Sequence, residues 1–185
     1  MLLARCADTL TLSRGVAAGA LAVLVARGRL ATAAVVLAMA WLSDALDGRL
    51  AQASRTPTRL GAFDMPADVA LGAGLLLGLG AGGAIPAWAA GLAVLALGGG
   101  YLRLRQPALG MALQALGYGA FLWRAFALGV PARWAPVAVA LAIWLAGWRK
   151  FWRVELPAFL SGLGDAIRLR RGGSLGLPED GDRSA

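Results

Sequence analysis

The sequence predicts an all-α fold: a polytopic membrane protein with six transmembrane helices and a short amphipathic N-terminal segment. Three observations lead there. Hydrophobic residues make up 59% of the 185 positions, and the mean hydropathy of +0.67 exceeds what a soluble domain of this size sustains. The apolar residues gather into six runs at 12–28, 30–51, 60–84, 86–102, 107–130 and 134–151, each near the ~17–25 residues that cross a bilayer. Through the membrane region the basic residues fall mainly in the short gaps between those runs or near the run ends, where charges that set topology belong.

Taken in order, the uncharged stretch Gly15 to Ala26 of the first run follows Arg5 and Arg14 and so resembles a signal peptide. No small-x-small cleavage pattern comes after it, and Arg27 and Arg29 close it, so it is read as an uncleaved span. The second run carries Trp41 and ends on Asp44 and Asp47; the third begins with Asp64 and Asp68. Within the third, Gly74, Gly78 and Gly82 recur every fourth residue, a packing stripe for a close helix neighbour. Gly78-Leu79-Gly80-Ala81-Gly82-Gly83 also matches the dinucleotide-binding fingerprint letter for letter, but no strand precedes it and no acid follows at the required distance. Arg103 and Arg105 close the fourth run, and Arg149 and Lys150 close the sixth, as anchors at the interface. Residues 1–153 form one membrane domain. Residues 154–185, with Gly172, Gly173, Pro178 and a polar end, read as a surface segment and disordered tail.

Six spans place both termini on one side. The loops near 28, 85 and 131 lie opposite and hold Arg27, Arg29, Arg124 and Arg133, four of the eighteen Lys and Arg residues. The positive-inside rule therefore puts the termini, and the loop joining the second and third spans, in the cytoplasm. Trp88, Trp123 and Trp134 then mark the outer interface, and Trp148 and Trp152 the inner one.

Several functions are excluded by composition. The formal charge of +8 is topological in placement and does not indicate nucleic acid. The chain has no histidine, which removes His-based triads and His-ligated zinc, and its single cysteine, Cys6, permits no intrachain disulfide.

The acids are the informative residues. Nothing acidic lies between Asp68 and Glu155, yet four aspartates sit in or beside apolar helices. A charge at a span's centre costs roughly 2.5–3.5 kcal/mol on insertion scales, and neighbouring like charges add repulsion. Asp44 and Asp47 are three apart and Asp64 and Asp68 four apart, so each pair shares a helix face. Two helices can then present four carboxylates to one cavity, which hard divalent cations, Mg2+ or Mn2+, would neutralise while keeping positions for phosphate oxygens. Gly48 and Gly61 flank the acids and let a backbone approach closely.

The stretch DALDGRLAQASRTPTRLGAFDMPAD, residues 44–68, resembles the signature of the CDP-alcohol phosphotransferase family of membrane enzymes. Asp44, Asp47, Gly48, Ala51, Gly61, Asp64 and Asp68 fall on that pattern, and Thr58-Arg59-Leu60 resembles its usual approach to the glycine. There are two departures. Gln52 stands where the family has Arg, and two residues, Ala62 and Phe63, separate Gly61 from Asp64 in place of three. Asp8-Thr9-Leu10-Thr11-Leu12-Ser13-Arg14 resembles, less closely, the family's amphipathic lead-in to the first span.

The resemblance implies an enzyme of phospholipid synthesis. A substituted phosphate moves from a CDP-linked lipid, such as CDP-diacylglycerol, to the hydroxyl of a small polar alcohol, and CMP leaves. Asp44, Asp47 and Asp64 would hold two divalent ions, with Asp68 joining one site or acting as base on the acceptor. Gly48, Ala51 and Gly61 would leave room for the nucleotide, and Arg55 or Arg59, or else Arg49, would supply the charge missing at Gln52. The resemblance also implies a homodimer in the cytoplasmic membrane, with the active site facing the cytoplasm. A competing class is an ion or proton transporter using intramembrane aspartates, though its acids would be spread among helices near the midplane. A divergent, inactive family member is another reading, on account of the two departures.

Overall fold

The computed structural model describes residues 2–53 and 63–150, with side chains for 9–46 and 63–146. Among the described residues every regular element is helical. α1 (Leu2–Ala26), α2 (Leu30–Ala53) and α3 (Asp64–Ala81) come first. α4 (Ala87–Ala93) continues through a π-helical turn (Val94–Gly98) into α5 (Gly99–Leu104) with helical backbone angles at both joins. α6 (Pro107–Ala127), a 3-10 turn (Pro131–Arg133) and α7 (Trp134–Lys150) follow. The chain divides into two compact units, Met1–Ile143 and Trp144–Ala185, and the core and site described next lie in the first. The expected tail, 154–185, lies outside the described residues.

Each apolar run holds one helical rod, with α4 and α5 together forming the fourth. Two details differ from the sequence reading. The amphipathic lead-in is not a separate segment, because α1 begins at Leu2 and continues unbroken to Ala26. By length and composition, three described stretches are long and apolar enough to cross a membrane: Thr9–Ala26, Asp64–Ala81 and Ala87–Leu104. Among the described residues, the apolar parts Leu30–Leu46 and Pro131–Ala146 are shorter.

The burial pattern is that of a protein solvated by lipid. Leu95 is 74% exposed and Trp123 79% exposed, while Arg14 is fully buried. Lipid offers no hydrophobic drive for helices to associate, so close backbone packing through small residues takes over. Exposed apolar surface on this scale, on an all-helical chain, is that of an integral membrane protein.

α1 packs on both α2 and α3, and α3 packs in turn on α6. The glycine stripe makes the first contact close: Gly74 faces the backbone of Ala18, and a Cβ on Gly78 would stand 2.7 Å from the Ala22 carbonyl oxygen. On its other side α3 meets α6 glycine to glycine, Gly72 against Gly117. The stripe that contains the fingerprint-like run is thus an intrachain helix contact, and it gives a homodimer no surface. Both apolar clusters lie along these contacts, the larger around Leu21, Leu37, Leu71, Leu75 and Phe121, the smaller around Val69, Leu76 and Leu113.

Three helix ends share one device. Gly28, Gly83 and Gly129 have φ of 69°, 71° and 63°, the left-handed region that glycine enters without a Cβ clash. At each, the next residue donates back to the carbonyl five residues earlier: Arg29 to Leu24, Ala84 to Leu79 and Val130 to Ala125, all at 2.8–2.9 Å. This is the Schellman closure of a helix C-terminus. These are the three loops that the topology argument places together on one side, and exposed Trp88, Trp123 and Trp134 stand near them.

Gly117→Ala is expected to lower the melting temperature of the detergent-solubilised protein, with about 1–3 kcal/mol of overpacking, because its Cβ would meet the Gly72 backbone. Gly119→Ala, where a Cβ meets nothing within 4 Å, is expected to leave it unchanged or raised. Thermal unfolding of the two variants in parallel checks this.

Candidate active site

The inward face of each of the first three helices ends in a charged residue. On α1, Thr11, Arg14, Ala18, Leu21 and Val25 are buried at three- and four-residue intervals. On α2 the buried stripe Ala33, Leu37 and Ala40 leads at the same spacing to Asp44, and on α3 the stripe Leu79, Leu75 and Leu71 leads back to Asp68 and Asp64. Helical periodicity therefore aims all four charged side chains at one place.

They meet there. Nη1 of Arg14 donates to Oδ1 of Asp44 and, at 2.7 Å, to Oδ1 of Asp68, while Nη2 donates to Oδ1 of Asp64. The Arg14 side chain has no exposed surface; those of Asp44, Asp64 and Asp68 are 45%, 43% and 25% exposed. The arrangement is a cup whose rim is acidic and open, with the cation sealed beneath. Asp68 lies deeper than the other two, as its place one turn into α3 predicts. Among the described residues three carboxylates face one guanidinium, and those three carry more negative charge than Arg14 alone cancels. In a low-dielectric setting that excess favours a further cation strongly.

α6 closes one wall. The Tyr118 hydroxyl lies 3.4 Å from the Asp68 backbone oxygen, and its ring meets Trp41 edge-on, centroids 5.1 Å apart at 80°. Trp41 is close to the aspartates, as the sequence suggested, through this contact with Tyr118. Beside α3, an apolar groove of about 360 Å³ runs between Pro66, Val69, Ala73, Val94, Leu102 and Leu113. It adjoins a second space lined by Met65, Pro66, Tyr101 and Arg105. Arg105 caps α5 in the left-handed conformation, φ 52°.

Of the residues singled out from sequence, the structure brings together Asp44, Asp64 and Asp68. Asp47, Gly48 and Ala51 lie on α2, but their side-chain positions are outside the described residues, and so are Arg55, Arg59 and Gly61 altogether. Among the described residues no three acids form a ligand set by themselves; the carboxylates are gathered around Arg14 instead. Arg14, which ends the family-like run 8–14 and also flanks the apolar stretch of the first span, is a buried member of this cluster. The resemblance of that run to the family's entry segment and the spacing of Arg14 from Ala18, Leu21 and Val25 are the two signals.

In donor chemistry, though not in placement as a ligand set, these residues are of the kind a hard divalent cation selects. Three carboxylates from two helices already converge on one positive centre, all with oxygen, and no sulfur or imidazole stands among them.

The family model for CDP-alcohol phosphatidyltransferase matches residues 4–156 of the chain. No curated protein and no solved structure matches it.

The edge-on pair on the α6 wall is testable. A double-mutant cycle with Trp41→Leu and Tyr118→Leu, read by thermal or denaturant unfolding, is expected to give a coupling of about 0.5–1.5 kcal/mol. Strict additivity would show that the two rings do not support each other.

Proposed function

We propose that this chain, which belongs to the CDP-alcohol phosphatidyltransferase family, moves a phosphatidyl or similar substituted phosphate from a CDP-linked lipid to the hydroxyl of a small polar alcohol and releases CMP. The observation that carries the proposal is the convergence of Asp44, Asp64 and Asp68 from two helices on one cationic centre at an open rim. Family membership supports a transferase acting on a CDP-alcohol, and that favours it over a transporter.

Asp44, Asp64 and Asp68, with Asp47 one turn along α2, are the residues that would hold two divalent ions, Mg2+ or Mn2+. When bound, such ions offset the charge of the diphosphate and of the departing CMP. Asp68 joins one ion site or acts as the base; as base it accepts the acceptor's proton as the acceptor oxygen bonds to the lipid-side phosphorus and the bond from that phosphorus to the CMP oxygen breaks. Asp68 suits this role because it lies deepest and least exposed of the three, and the Tyr118–Trp41 pair packs against its segment of α3.

Gly48, Ala51 and Gly61 would give the nucleotide room, and Arg55 and Arg59 would meet its phosphates in place of the family arginine at Gln52. The apolar groove beside α3 would suit an acyl chain of the lipid substrate. The rods arrange as six spans with both termini and the site on the cytoplasmic side of the inner membrane. The charge count, four of eighteen Lys and Arg residues on the opposite side, supports that topology. The homodimer that the family implies would use a face other than the glycine stripe.

Purified protein with Mg2+ or Mn2+ is expected to release CMP from CDP-diacylglycerol when supplied with a panel of alcohols and alcohol phosphates. No release with any acceptor, and no binding of the CDP-lipid, would overturn the proposal. Asp68→Asn is expected to cut turnover by about 10²–10⁴-fold while leaving expression intact, and an unchanged rate would remove Asp68 from its role.

A further inference from the structure

We infer that Arg14 is the internal counter-cation of the carboxylate site, competing with divalent ions for Asp44, Asp64 and Asp68 and so setting how tightly the site loads. The inference rests on those carboxylates being metal ligands, the reading given above, but its own observation is positional. The guanidinium is sealed under the acids and donates to Oδ1 of Asp44, Asp64 and Asp68. It occupies the point where oxygens from α2 and α3 meet.

An oxygen that accepts from a guanidinium N–H and one that ligates a metal ion use the same lone pairs. A divalent ion placed among these three oxygens would also stand within a few Å of a fixed positive charge in a poorly screened setting. Guanidinium and ion therefore exclude each other from the centre of the cup, and loading moves Arg14 off at least part of its ligand set.

Arginine is well suited to the metal-free state. It stays charged at any working pH, and its planar fork reaches acids on two helices at once. Without it the metal-free protein would leave three carboxylates facing one another, which is strongly destabilising where water is scarce. Arg14 thus stabilises the carboxylate cluster in the absence of an ion and scales apparent metal affinity by the fraction of molecules in which it is undocked. A merely structural arginine acts in the opposite direction: it holds the acids in place, and its loss weakens metal binding. The sign of the change separates the two.

The test uses full-length protein in detergent micelles with Mn2+ as probe. Free Mn2+ is followed by its electron paramagnetic resonance signal, and thermal unfolding is recorded with chelator and with Mn2+. Arg14→Gln is expected to melt lower than wild type in chelator, to bind Mn2+ about tenfold more tightly or better, and to show the larger Mn2+-induced rise in melting temperature. Arg14→Lys keeps the charge, but a single ammonium spans the two helices poorly, so its affinity is expected to fall between the two. Equal or weaker Mn2+ binding by folded Arg14→Gln overturns the inference. If that variant does not fold, equal or weaker binding by Arg14→Lys overturns it. Absence of Mn2+ binding by wild type is the distinct outcome in which the metal-ligand reading itself fails.

Discussion

Arg14 joins α1 to α2 through Asp44 and to α3 through Asp64 and Asp68. A buried ion set of this kind is not simply stabilising, because desolvating the charges costs as much as their attraction returns. What it gives is register. Slide any of the three helices by one residue, about 100° of rotation, and a charge leaves the cup for lipid or for the apolar core. The charged residues at the ends of the three inward stripes therefore fix how the helices rotate about their axes, while the apolar residues behind them allow several rotations.

Glycine makes that convergence reachable. α1 can bring Arg14 beneath acids carried by α3 because Gly74, Gly78 and Gly82 let the two backbones touch along their length. α3 can bring Asp68 to the wall formed by Tyr118 because Gly72 and Gly117 do the same on its far side. Bulk at either seam would separate the helices at the end where the chemistry lies. Packing and site are thus coupled along α3, whose opposite faces serve the two seams and whose first turns carry two of the acids.

Much of this was legible from residue spacing. The six rods, the pairing of Asp64 with Asp68 on one face, and the glycine stripe all follow from period and composition, and the match at Asp44–Asp68 pointed to the family. Arg14 was less legible. An arginine before an apolar run is ordinarily a flank, and its place at the end of the family-like run 8–14 names no role; its phase with Ala18, Leu21 and Val25 is what marks it as inward. Nor did sequence show that the stripe serves α1 and not a second protomer, since small residues fit either neighbour equally well. The continuity of α1 from Leu2 was missed because polar residues at 8–13 lower hydropathy without breaking a helix.

The account stands on carboxylates from α2 and α3 closing around bound divalent cations at the rim above Arg14. Anomalous diffraction from crystals grown with Mn2+ addresses it directly. Peaks within ligand distance of the Asp44, Asp64 and Asp68 oxygens are the result it predicts. Peaks confined to other positions, with those oxygens still held by the guanidinium at saturating Mn2+, would contradict it.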